Sequence, residues 1–269
     1  MAAGEALGRQ AERSDWLDRA ARVGLVAYGL VHLVIGWLAV QLALGDRSES
    51  ASANGAVREL AEQPMGLSLV WLVAVGMFLL MVWRVVVAAV GHRADEGFTR
   101  TRRRSVSAGR AVVYGYISWA AVSVATGSGS ANGGTDSTTA KVMDVPAGQL
   151  LVGGVGVAIA GIGVALIRKA WTERFAEEMD RQGKSGPSGT LYIWLGKFGC
   201  VAKGIAFGIV GALFVYAAAT HEPNKSGGLD QALAEVLRQP LGPYLLGAIA
   251  LGIAAYGLFC LAQARYFDS

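Results

Sequence analysis

The chain has 269 residues, 53% of them hydrophobic and only 16% charged, with a mean hydropathy of +0.42. Soluble domains carry about 25% charge, so this composition excludes a soluble enzyme, a nucleic-acid-binding domain and a disulfide scaffold. The net charge of +4 becomes informative only once it is divided between the two sides of a membrane.

Residues 1–15 read as a polar cytoplasmic tail. Arg9, Arg13, Arg19 and Arg22 lead into the first apolar stretch, 22–44. That stretch is too long for the apolar core of a signal peptide, and no small-residue cleavage site follows it, so it reads as a retained helix. Further apolar stretches lie at 67–90, 107–126, 147–167, 195–219 and 241–263. Each is long enough to cross about 30 Å of hydrocarbon at about 1.5 Å per residue.

Shorter elements are expected between them. Asp230 suits the N-cap of a helix over 230–238, with Leu229, Leu233, Val236 and Leu237 on its apolar face. Residues 57–62 give a shorter version. Both are expected at the outer interface, just before a proline turns the chain inward. Over 170–182, Trp171, Phe175 and Met179 oppose Glu173, Glu177 and Asp180, which predicts an amphipathic helix resting on the cytoplasmic face of the bilayer.

Lysine and arginine divide unevenly between the two sets of loops. The tail, the segments between spans 2 and 3 and between spans 4 and 5, and Arg265 hold 17 of them. The other loops hold five: Arg47, Arg58, Lys141, Lys225 and Arg238. The loops are short, so the positive-inside rule applies and both termini are expected in the cytoplasm. Arg100, Arg102, Arg103 and Arg104 lie just cytoplasmic of span 3. They suit anionic lipid headgroups, each charge worth about 1 kcal/mol near the surface, better than nucleic acid. Arginine outnumbers lysine 18 to 6 in an alanine- and glycine-rich chain, a bias common in high-GC bacteria, so the expected location is a bacterial plasma membrane.

The chain repeats itself. A Pro-x-Gly opens every second span: Pro64 and Gly66, Pro146 and Gly148, Pro240 and Gly242. A glycine sits within every first span: Gly29, Gly115 and Gly204, with Gly-to-Pro separations of 35, 31 and 36 residues. Three matched two-span units follow, over 16–93, 104–175 and 191–268. A two-span unit returns the chain to its starting side, so the units are parallel. The expected fold is all-α integral membrane: six transmembrane helices as three parallel two-helix repeats around a pseudo-threefold axis.

These repeats resemble the bacterial membrane family known as domain of unknown function 1206. The clearest stretch runs from Gly228, Leu229, Asp230, Gln231, Ala232 and Leu233 through Arg238, Gln239, Pro240, Leu241 and Gly242. Tyr256, Gly257, Leu258, Ala264, Arg265 and Tyr266 fit as well, and the likeness covers about 16–268. The middle unit departs from it, with Val145 in place of glutamine and a shorter outer loop. The resemblance implies architecture and transfers no catalytic residue.

Chemistry is sparse. His32, His92 and His221 fall at different depths, which is incompatible with one metal site, and no cofactor motif is present. Cys200 and Cys260 form no Cys-x-x-Cys and read as packing residues. No acidic residue lies well inside any span. Gly183, Lys184 and Ser185 lack the earlier glycine and the strand of a phosphate loop. Glycines such as Gly153, Gly154, Gly156, Gly161, Gly163, Gly204 and Gly208 read as close helix packing.

Lys203 is the exception, a basic residue inside span 5. Intramembrane charges cost at least about 2.5–3.5 kcal/mol on insertion scales and usually face the bundle interior. Aligning the repeats on their glycines places Lys203 with Tyr28 and Tyr114, and His32 with Ser118 and Phe207 four residues on. With the first spans inside, Tyr28, His32, Tyr114, Ser118 and Lys203 form a candidate polar layer. The alternative is that span 5 starts near Gly199 and Lys203 snorkels to the headgroups. The expected role is non-catalytic, a structural or accessory subunit with a membrane-protein partner. The alternative role is a small-solute transporter or channel.

Overall fold

The computed structural model describes residues 15–45, 51–64, 66–90, 97–127, 135–145, 147–173 and 186–266. Among the described residues the regular structure is helical throughout. In chain order the helices are α1 (Asp15–Ala43), α2 (Ala53–Glu62), α3 (Gly66–Val90), α4 (Gly97–Ala125) and α5 (Thr135–Met143). They continue as α6 (Gly148–Trp171), α7 (Gly186–Thr220), α8 (Leu229–Leu237) and α9 (Gly242–Arg265), with a 3-10 turn at Pro223–Lys225 between α7 and α8.

Each apolar stretch coincides, to within one residue at its ends, with part of one long helix, and five of these helices, α1, α3, α6, α7 and α9, are long and apolar enough to cross a membrane. The third stretch differs. Arg110, Ser107, Ser118 and Ser123 interrupt the apolar run of α4, so its hydropathy falls short of the other five. α7 starts nine residues before the expected 195, because Leu191, Tyr192, Ile193 and Trp194 extend the apolar run and Pro187 is tolerated in a first turn. Its 35 residues span about 50 Å, well beyond the hydrocarbon thickness. Of the amphipathic segment expected over 170–182, residues 174–182 lie outside the described residues.

The short helices form elbows. Ser52 caps α2, its Oγ accepting from Gly55 N at 3.2 Å. α8 begins at Leu229 with Gly228 at the N-cap, so Asp230 sits inside the first turn and meets the helix dipole rather than capping it. These elbows are packed into the bundle: Val57 and Leu233 are both 0% exposed. α2 lies on α1, α3 and α4, while α8 lies on α7, α9 and α1.

One turn recurs after each elbow. The carbonyl of Gln63, Val145 or Gln239 accepts from the amide of Gly66, Gly148 or Gly242 at 2.7, 2.8 and 2.8 Å. A backbone acceptor explains why Val145 can stand in place of glutamine. At each of these glycines a Cβ would strike the last carbonyls of the elbow helix, those of Ala61, Val142 and Leu237, so no larger residue fits. The residue before the glycine is left-handed where described, Ala147 at φ 64° and Leu241 at φ 62°. Pro146 itself lies outside the described residues.

The long helices pack in the order α4, α3, α1, α9, α7, α6. The extensive seams join the second helix of one unit to the first helix of another: α3 to α4, α6 to α7, and α9 to α1. The three repeat glycines mark these seams. A Cβ on Gly29 would lie 2.9 Å from the Gly257 carbonyl, one on Gly204 2.7 Å from the Gly163 carbonyl, and one on Gly115 3.0 Å from the Met81 sulfur. Met81, Gly163 and Gly257 are themselves equivalent, each seventeen residues after its elbow proline. Without interhelix hydrophobic drive in lipid, such close backbone approach is what holds helices together. Among the described residues α4 and α6, the two helices of the middle unit, barely touch.

Candidate functional site

Successive helical residues are about 100° apart, so a side chain next to a seam glycine points beside the seam. Tyr28, Tyr114 and Lys203 each precede such a glycine. On α1, α4 and α7 they turn toward one centre, although these three helices are separated by α3 and α9.

Lys203 lies halfway along α7, with about 25 Å of helix on either side, far beyond the reach of its side chain to an end. It is 9% exposed. Its Nζ donates to the Tyr28 hydroxyl at 2.8 Å and lies 2.9 Å from His32 Nε2. It also stands 4.1 Å from the Tyr256 ring centroid and 5.0 Å from that of Tyr28. Such cation–π contacts are worth about 2 kcal/mol when desolvated.

The imidazole tautomer follows from its partners. His32 Nδ1 is 2.8 Å from the Tyr28 carbonyl, which can only accept. Nδ1 therefore carries the hydrogen and Nε2 presents a lone pair to the amine. Tyr28 and Tyr114 meet edge to face at 5.4 Å, and Tyr256 lies 5.2 Å from the His32 ring.

Of the five residues expected in a polar layer, the structure brings Tyr28, His32, Tyr114 and Lys203 together. Ser118 is tied elsewhere, its Oγ donating to the Ala74 carbonyl of α3 at 2.8 Å. Phe207, aligned with His32, is 36% exposed and faces outward. Tyr256 was missed by the alignment, because it sits on a second helix where the other units carry Leu80 and Ile162. A tyrosine inside a span, next to the seam residue Gly257, was the available signal.

Charge gathers on one side of this centre. Arg110 is one helical turn before Tyr114, and Arg84 is one turn beyond Leu80, the equivalent of Tyr256. The Arg84 guanidinium lies 4.1 Å from the Trp83 ring centroid, and Arg110 is exposed. Cys200 and Cys260 are buried and reduced nearby. Among the described residues no three histidine, cysteine or acidic side chains gather as a metal site would require; His92 lies outside them.

A second feature lies at the end of α6 and α7. Trp171, Trp194, Leu195, Lys197 and Phe198 line an open cleft of about 550 Å³. Lys197 pairs with Glu173 at 2.7 Å.

Sequence comparison places the architecture in a family. The pattern described as Domain of Unknown Function (DUF1206) matches three times, over 23–91, 106–173 and 198–266, and the chain belongs to that family. A relative in Bacillus subtilis (strain 168), "Uncharacterized protein YxxB", is 29% identical over 259 residues, 95% of this chain and 93% of its own. No solved structure matches the chain.

Proposed function

We propose that this chain is a six-span protein of the bacterial plasma membrane, with both termini cytoplasmic and its three parallel units set around a pseudo-threefold axis. α4 is the sixth span in this reading, its arginines lying at or near the cytoplasmic end. The observation that carries the arrangement is the cyclic placement of the glycines. Gly29, Gly115 and Gly204 each rest on the second helix of another unit, so the third unit docks back onto the first.

The role we propose is non-catalytic, that of a structural or accessory subunit in a membrane complex. The poorly covered middle unit supports it. Val112, Trp119, Leu150, Val157 and Val164 are all more than half exposed, a surface for lipid or a partner helix. On the cytoplasmic face the arginines of α4 and the Trp-lined cleft beside Lys197 suit anionic lipid headgroups. A second reading, a small-solute transporter, is favoured by the polar centre around Lys203.

Orientation is tested by labelling whole cells with an impermeant thiol reagent. Ser130→Cys is expected to react and Ser105→Cys to stay unlabelled; the reverse pattern ends the topology. Purification from native membrane in mild detergent tests the role. A stoichiometric partner supports the accessory reading, and a partner-free protein that moves solute in liposomes replaces it with the second.

A further inference from the structure

The cleft at the end of α6 and α7 arises from the unequal lengths of the two helices. Gly163 and Gly204 set their antiparallel register, so Trp171, the last residue of α6, falls level with the region of Leu195 and Lys197. About 15 Å of α7 continues beyond that point. Leu191, Trp194 and Phe198 recur there at helical spacing and are 57%, 65% and 47% exposed. Trp171, Trp194 and Phe198 line the cleft, whose volume of about 550 Å³ is that of an ordinary ligand pocket.

The cleft is apolar apart from one charged group. Lys197 Nζ stands 5.7 Å from the Trp194 ring centroid and pairs with Glu173 at 2.7 Å. The pair is partly exposed at both ends, and such pairs are weak, so another anion can take the place of the carboxylate. Over 168–173 and 194–201, the basic residues are Arg168, Lys169 and Lys197, and Glu173 is the one acidic residue. This excess of positive charge favours an anionic headgroup over a zwitterionic one. Tryptophans gather at the level of lipid headgroups, with an apolar ring body and a polar N–H. A phosphodiester at that level reaches Lys197, and its acyl chain follows the apolar walls.

We propose that this cleft is a binding site for one anionic glycerophospholipid, with an acyl chain against Trp171, Trp194 and Phe198 and the phosphodiester accepting from Lys197. The site rests on the reading of this end of the bundle as a lipid-facing surface and narrows it from general headgroup attraction to a single built site. Its leaflet follows from the proposed orientation, which thiol labelling tests independently.

The test uses the full chain in phosphatidylcholine vesicles containing a rising fraction of phosphatidylglycerol brominated in its acyl chains, which quenches tryptophan emission on contact. Both leaflets have the same composition, so a wrong orientation does not affect the result. Brominated phosphatidylglycerol is expected to quench more than brominated phosphatidylcholine at equal fraction. Trp171→Phe combined with Trp194→Phe is expected to remove that excess. Lys197→Gln is expected to raise the half-saturating fraction about fivefold, the loss of one lysine at the membrane surface. Glu173→Gln frees Lys197 and is expected to lower it about twofold. Glycerol phosphate, present on both sides, is expected not to compete, because it brings no acyl chain. Equal quenching by the two lipids overturns the proposal, as it would follow if residues 174–185 or unselected lipid filled the cleft. An excess that survives the double tryptophan variant, an unchanged half-saturating fraction in Lys197→Gln, or full competition by glycerol phosphate also overturns it. Should Lys197→Gln fail to reconstitute, a half-saturating fraction that does not fall in Glu173→Gln overturns it alone.

Discussion

Two seams of this molecule are closed by backbone, and the third by side chains. Where α6 meets α7, Gly156, Gly163, Gly204 and Gly211 let carbonyls and Cα atoms face each other, and where α9 meets α1, Gly29 and Gly257 do the same. Where α3 meets α4, Gly115 meets the Met81 sulfur, and Ser118 adds a hydrogen bond to the Ala74 carbonyl. The difference teaches how a repeat tolerates divergence. Position 81 carries a flexible thioether, which fills irregular gaps, where the other units carry Gly163 and Gly257, and the Ser118 hydrogen bond adds a polar tie there. The repeat unit in sequence is also not the packing unit. The first and third units keep contact between their own two helices, whereas the middle unit is held by its neighbours.

The largest expected effect separates these seams. Gly204→Ala and Gly29→Ala place a methyl against carbonyl oxygens at 2.7 and 2.9 Å, which no side-chain rotation relieves. Each is expected to cost about 1–3 kcal/mol through overpacking. Gly115→Ala meets only a movable methionine and is expected to cost less than about 1 kcal/mol. Gly154→Ala, with nothing within 4 Å, is expected to be neutral or slightly stabilising. Unfolding of the purified variants in detergent measures all four. Equal losses at Gly115 and Gly204 would break the distinction between the seams.

A smaller effect of opposite sign is expected at the elbow. Leu241 holds φ at 62°, and its side chain is 71% exposed. A left-handed leucine costs about 1 kcal/mol or more. Leu241→Gly removes that cost while surrendering little packing, so a gain of about 0.5–1 kcal/mol is expected from the same unfolding measurement. Destabilisation would mean that the leucine side chain packs against something the elbow needs.

Much of the fold was legible because a membrane turns composition into position. Length and hydropathy marked all six long helices, and the Pro-x-Gly and seam glycines marked the units. Register set Tyr28, Tyr114 and Lys203 at equivalent positions, but their meeting also required the first spans to face the interior, which the sequence left open beside the snorkelling alternative. Tyr256 was not legible, since its place beside His32 depends on α9 docking against α1, a contact between opposite ends of the chain with no local signature. The early start of α7 was not legible because Lys197 was counted with the loop charges, although Leu191, Tyr192, Ile193 and Trp194 before it are apolar. The tie of Ser118 to Ala74 was hidden by its alignment with His32, because equivalent positions in a diverged repeat need not keep equivalent partners.

That tie provides the finest test of the side-chain-closed seam. Ser118 is buried, and its Oγ donates to a carbonyl on α3, so it links the second unit to the first at the level where Gly115 has lost its glycine partner. Interhelical hydrogen bonds in membrane proteins average about 0.6 kcal/mol, because the unfolded chain in lipid also finds partners. Ser118→Ala removes the donor without adding bulk, and the Ala74 carbonyl keeps its place in the α3 ladder, so no buried group is stranded. A loss of about 0.6 kcal/mol is therefore expected, below either backbone-seam variant. Coupling is the sharper readout. If methionine and serine jointly hold this seam, Met81→Ala and Ser118→Ala together should depart from the sum of the single losses, as contacts within one seam do. Ser118→Ala combined with Gly204→Ala, on different seams, should add. Strict additivity in both pairs would show that the α3–α4 seam is held by something other than these two side chains.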